Sequence, residues 1–103
     1  MLKWTPKSQD DLEKMMEYIA ENFNINLAID TVNDLIDYTE NLLSSNPLAG
    51  SILESNPLFS KLIYKGNSIY YCENPKDKNL YVVYVQLRTT DFDRKRVNSD
   101  EVA

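Results

Sequence analysis

The stretch Leu80-Tyr81-Val82-Val83-Tyr84-Val85-Gln86-Leu87, followed by Arg88, decides the fold. It is the strongest strand signal in the chain, β-branched and aromatic with no Gly, Pro or charge before its end. Strict alternation puts Tyr81, Val83, Val85 and Leu87 on one face, and Val82, Tyr84, Gln86 and Arg88 on the other. One face is then wholly apolar and buried, while the other turns polar and delivers a cation. A central strand with one covered face and one usable face is the expectation from which the rest is read.

Working outward, Asn74 to Asn79 is a polar loop. Before it, Phe59 to Lys65 and Ser68 to Glu73 read as two strands joined at Gly66-Asn67, a hairpin turn. Pro47-Leu48-Ala49-Gly50 is a turn, and the segment from there to Asn56-Pro57 looks irregular. Further back the period changes from two to 3.6. Leu12, Met15, Met16, Ile19, Ala20 and Phe23 form one helical stripe. Ala28, Val32, Leu35, Ile36, Thr39, Leu42 and Leu43 form a second. Thr5-Pro6 supplies an N-cap and a proline at the first helical position, and Pro47 closes the second helix. Asn22 to Asn26 is the link, so the helices make an antiparallel hairpin. Leu2-Lys3-Trp4 is a brief opening strand. The predicted fold is α+β, in the order β-α-α-β-β-β: an antiparallel sheet with a two-helix hairpin packed on one face. Residues 1–90 form a single domain and 91–103 a charged tail.

Composition narrows the chemistry. The chain has 103 residues, one cysteine and no histidine. No intrachain disulfide can form, and the usual general base near neutral pH is missing. Hydrolases built on zinc–histidine, Cys/His or Ser/His/Asp sites are therefore excluded, and neither a metal nor a cofactor is expected. No apolar run approaches the about 18–20 residues of a membrane span, so a cytoplasmic protein is the expectation. The net charge of −5 divides unevenly: residues 1–58 carry −7 and residues 59–103 carry +2. That argues against nucleic-acid binding over the whole surface and leaves room for a local basic site on the second half.

The order of certain residues resembles the RelE/ParE superfamily of toxins from bacterial toxin–antitoxin pairs. The resemblance runs through Trp4-Thr5-Pro6, Asp11-Leu12 and Tyr18-Ile19. It continues through Ala28, Leu43 four residues before Pro47, Gly50, Lys61-Leu62, Gly66, Ile69 and Tyr71 to Arg88, covering residues 2–90. It implies a toxin neutralised by a cognate antitoxin. In the RelE branch, sheet cations surround the scissile phosphate of ribosome-bound mRNA, and metal-independent cleavage also needs acid–base groups. Lys61 and Arg88 correspond to two of those cations. Ser51 and Ser68 stand where arginines are expected, Ser8 where alanine is usual, and Lys65 is a conceivable substitute cation. Near the late acid–base position stand Phe92 and Arg94. The opening pattern is closer to the ParE branch, which carries no catalysis and binds DNA gyrase. The resemblance therefore implies a gyrase inhibitor rather than an enzyme, with Lys61, Tyr84, Arg88, Arg94 and Arg96 as target-binding residues. A ribosome-dependent mRNA interferase using Lys61 and Arg88 is the alternative, and a non-toxic relative that only binds partners is a third.

Overall fold

A computed structural model describes residues 2–87. Leu2–Trp4 forms β1, Pro6–Asn22 α1 and Ile25–Ser45 α2. Ser51–Ile52, Ser60–Tyr64, Asn67–Glu73 and Leu80–Gln86 then form β2 to β5. The five strands make one sheet in the order β1-β5-β4-β3-β2. The two helices lie against one face, as the apolar stripes predicted. Two details differ from the sequence reading. The irregular segment after Gly50 contributes a two-residue edge strand, β2, with Ser51 opposite Lys61. The sheet is also not wholly antiparallel: β1 pairs with β5 in parallel, Leu2 beside Leu80 and Trp4 beside Val82. A parallel pair needs a long crossover, and here the helical hairpin and the β2–β4 meander together supply it.

The helices begin as their caps dictate. The Thr5 hydroxyl accepts the Ser8 N–H at 3.2 Å, and Asn24 Oδ1 accepts the Leu27 N–H at 2.7 Å. Ser8, where the family usually has alanine, is fully buried, and its hydroxyl donates to the Thr5 carbonyl at 2.8 Å. The extra polar atom is thus satisfied locally. Leu12, Met15 and Ile19 of α1, with Ala28, Val32, Leu35 and Leu43 of α2, meet Leu62, Ile69, Tyr71, Val82 and Val85 of the sheet in one core. Phe23 departs from its predicted stripe. It sits at the α1 C-cap, 64% exposed, because the helix ends there and the chain turns into Asn24.

The deciding strand is where strict alternation fails. Tyr70 lies opposite Tyr84 but Tyr71 lies opposite Val82, so Val83 is an extra residue in β5. This bulge costs the strand one beat of its period. Val82 is fully buried and Val85 nearly so, whereas Tyr84 is 40% exposed. The sequence reading holds for Tyr84 to Leu87 and is reversed before the bulge: Val82 faces the core, and Tyr81 shares the open face with its partners Cys72 and Lys3.

The β3–β4 hairpin turns on Lys65-Gly66 rather than Gly66-Asn67, with Tyr64 and Asn67 as the closing pair. Both turn residues have positive φ, 50° at Lys65 and 85° at Gly66, the signature of a type I′ turn. Lysine pays a steric cost there that asparagine largely avoids. Lys65→Asn should therefore raise stability by up to about 1 kcal/mol, read from the midpoint of urea unfolding. Gly50 is held differently. Its N–H donates to the Tyr71 hydroxyl at 2.8 Å, and that hydroxyl donates to the Pro47 carbonyl at 3.3 Å. A Cβ on Gly50 would lie 2.5 Å from the Tyr71 oxygen and 2.9 Å from the Lys61 carbonyl. Gly50→Ala should cost about 1–3 kcal/mol, the range for overpacking, in the same unfolding measurement.

Candidate functional site

The helices leave the opposite face of the sheet open, and strand register sets what stands on it. Lys61 of β3 lies opposite Ser51 on one side and Tyr70 on the other, and Tyr70 lies opposite Tyr84 of β5. The two tyrosine rings stack, with centroids 4.3 Å apart and planes 19° from parallel. The Lys61 ammonium lies 5.9 Å from the Tyr70 ring centre, and the Lys7 ammonium of α1 lies 5.9 Å from that of Tyr84. The result is a row, Lys61–Tyr70–Tyr84–Lys7, crossing β3, β4, β5 and α1.

Lys7 reaches this row because the first turn of α1 is fastened to β5 beyond the end of β1. The Thr5 N–H donates to the Val82 carbonyl at 3.1 Å, and the Thr5 hydroxyl donates to the carbonyl of the bulged Val83, also at 3.1 Å. The Val85 N–H donates to one oxygen of Asp11 at 2.9 Å, and the other oxygen of Asp11 pairs with Lys7. Asp11 thus ties the sheet edge, the helix and the lysine together. A groove of about 430 Å³ runs alongside, lined by Lys7, Asp11, Lys14, Tyr18 and Tyr84 among others.

The phenol of Tyr84 is pushed above its ordinary range, first by burial and then by the neighbouring Tyr70. The Tyr70 hydroxyl donates to Gln86 at 3.1 Å. A phenol in this range is protonated near neutral pH, so Tyr84 carries an O–H that can donate a hydrogen bond. Cys72, also on the open face, has its thiol raised by burial, which keeps it a weak nucleophile.

Of the residues expected to act, Lys61 and Tyr84 are brought to this one face. Arg88, Arg94 and Arg96 lie outside the described residues. Ser51 and Ser68 both fall on the open face, where they leave short polar side chains. Lys65 does not join the row; its ammonium lies 5.4 Å from the centre of the Tyr64 ring. Tyr64 of β3 does not reach the open face: it has the parity of the buried Leu62 and packs against Tyr38 of α2, with ring centroids 4.7 Å apart. Tyr70, rather than its neighbour Tyr71, supplies the open-face ring of β4. The sequence reading missed Lys7, whose place depends on the β1–β5 pairing and on no local motif.

The profile of the ParE toxin family, described as the ParE toxin of the parDE type II toxin–antitoxin system, matches residues 2–92. The chain belongs to this family. Among solved structures it is similar to one described as a chromosomal ParDE toxin–antitoxin system from P. aeruginosa. The TM-score is 0.71 and the identity 23%, over 82% of this chain and 91% of that one. It is also similar to the RelBE2 toxin–antitoxin complex from Mycobacterium tuberculosis, with a TM-score of 0.64 and 16% identity, over 85% of this chain and 96% of that one. At these identities the two structures support the shared fold. No curated protein matches the sequence.

At the far end of the open face the charges are paired off locally. Tyr81 donates to Asp77 at 2.5 Å, and the Lys3 ammonium lies 5.8 Å from the Tyr81 ring centre. The Asp77 carboxyl is held below the usual carboxylate range, first by the Tyr81 hydroxyl and then by the Asn79 N–H. A carboxyl lowered on folding adds stability above its unfolded value and loses it as pH falls through the lowered one. In Tyr81→Phe, the Asp77 carboxyl should titrate at higher pH by NMR, and the acid limb of stability at Asp77 should flatten.

Proposed function

We propose that this ParE-family toxin acts without catalysis, by binding DNA gyrase through the open face of its sheet, and that a cognate antitoxin neutralises it. The Lys61–Tyr70–Tyr84–Lys7 row is the observation that carries this reading. Lysines and paired tyrosines on a partly exposed surface supply anchors for a protein contact. ParE-family membership supports gyrase as the target.

The antitoxin reading draws on a different surface. Phe23, Ile25, Leu27 and Ile29, around the α1–α2 junction, are all large, apolar and exposed. Beside them runs a groove lined by Met15, Tyr18, Ile19, Phe23, Leu27 and Leu87. An apolar groove of this kind suits the amphipathic segment of a partner.

Purified protein should inhibit gyrase supercoiling, and the Lys61→Ala, Tyr84→Ala double variant should lose at least tenfold in potency while remaining folded. Adding the cognate antitoxin should restore supercoiling. Supercoiling left untouched at saturating toxin overturns the gyrase reading. Cleavage of ribosome-bound mRNA in a parallel assay would instead establish the interferase alternative, with Lys61 as a phosphate-binding cation.

A further inference from the structure

We infer that the Lys61–Tyr70–Tyr84–Lys7 row is a carboxylate-binding row, shaped for an acidic, extended segment of a protein partner. The inference rests on the reading of the open face as the contact surface and adds the chemistry of what it contacts.

The argument begins with the ring faces. A platform for nucleobases must offer an open aromatic face. Here the inner faces of Tyr70 and Tyr84 are spent on each other at 4.3 Å, and each outer face has a lysine ammonium 5.9 Å from its ring centre. A base could stack only by displacing a lysine. What the row offers outward is the ammonium groups of Lys61 and Lys7.

The lysines are not equally committed. Among the described residues Lys61 has no carboxylate partner. Lys7 is held by Asp11, whose other oxygen is fixed by the Val85 N–H. Lys61 is therefore open to an outside carboxylate, and Lys7, positioned by Asp11, keeps further N–H donors for a second. Ser51, opposite Lys61, is short and leaves room for one.

Charge and spacing complete the case. The chain's net charge of −5 repels any anion at long range, and most of all a nucleic-acid backbone, whose binding draws on many phosphate contacts. A short acidic peptide needs only the local cations. The ammonium-to-ring and ring-to-ring distances put the two ends of the row within about 16 Å of each other, a span that four to five residues of extended chain cover. The fitting ligand is an extended segment with carboxylates four positions apart, lying across the strands.

The test is an NMR titration of the full chain carrying ¹³C-labelled tyrosine rings. The probe is an octapeptide with glutamates at its second and sixth positions. Comparison ligands are the same peptide with glutamines and an eight-nucleotide oligo(dT). The glutamate peptide should shift the Tyr70 and Tyr84 rings saturably, and the glutamine peptide should not. Lys61→Gln and Lys7→Gln should each weaken binding at least fivefold, with unchanged circular dichroism. Stronger shifts from oligo(dT), absence of saturable peptide binding, or affinity left unchanged by either lysine substitution would overturn the inference. Any of these, alongside intact inhibition of supercoiling, would leave the gyrase reading standing.

Discussion

The structure depends on the fastening of one helix turn to one strand edge. β5 is paired on one side to β4 along its length, but on the other side β1 covers it only to Val82. Past that point the strand would present unpaired backbone groups, a liability in any sheet. Thr5 and Asp11 resolve this by receiving or supplying hydrogen bonds at Val82, Val83 and Val85. The same three contacts set the angle of α1 on the sheet, and α1 in turn carries Leu12, Met15 and Ile19 into the core. Trp4 extends the tie to the second helix, its indole N–H donating to Glu40 at 3.0 Å.

The bulge at Val83 belongs to the same arrangement. By adding one residue to β5, it brings Val82 and Val85 to the same side of the sheet although they are three positions apart. It leaves the Val83 carbonyl for the Thr5 hydroxyl and turns both Tyr81 and Tyr84 to the open face. Without it, strict alternation would bury Tyr81 and Val83 and expose Val82, at a cost set by burying a phenol and losing a valine from the core. The open face and the hydrophobic core are thus two consequences of one irregular residue.

The open face is divided electrostatically. Near β1, the Tyr81 phenol links a cation and an anion, its ring facing Lys3 and its hydroxyl donating to Asp77. Near β3, Lys61 stands opposite Ser51, and Ser68 lies opposite Ile63, two short side chains where the resemblance leads one to expect arginines. A surface with fewer cations and engaged aromatic faces is less suited to holding a scissile phosphate, and better suited to contacting a protein.

Most of the architecture was legible in the chain because it is written in local chemistry. Helix stripes, the Thr5 and Asn24 caps, the proline stop and the glycine turns are set by residues within a few positions of one another. Lys61 and Tyr84 were legible as candidates because strand parity and a charge on an otherwise apolar segment mark an exposed position. What the sequence could not determine depends on pairing between distant segments. The parallel β1–β5 register, the bulge at Val83, the burial of Tyr64 against Tyr38 and the arrival of Lys7 beside Tyr84 are all of this kind. Alternation predicts which residues share a face only while the partner strand keeps step. When one extra residue intervenes, the face changes, and only the tertiary structure, which satisfies backbone groups and packs the core together, decides where.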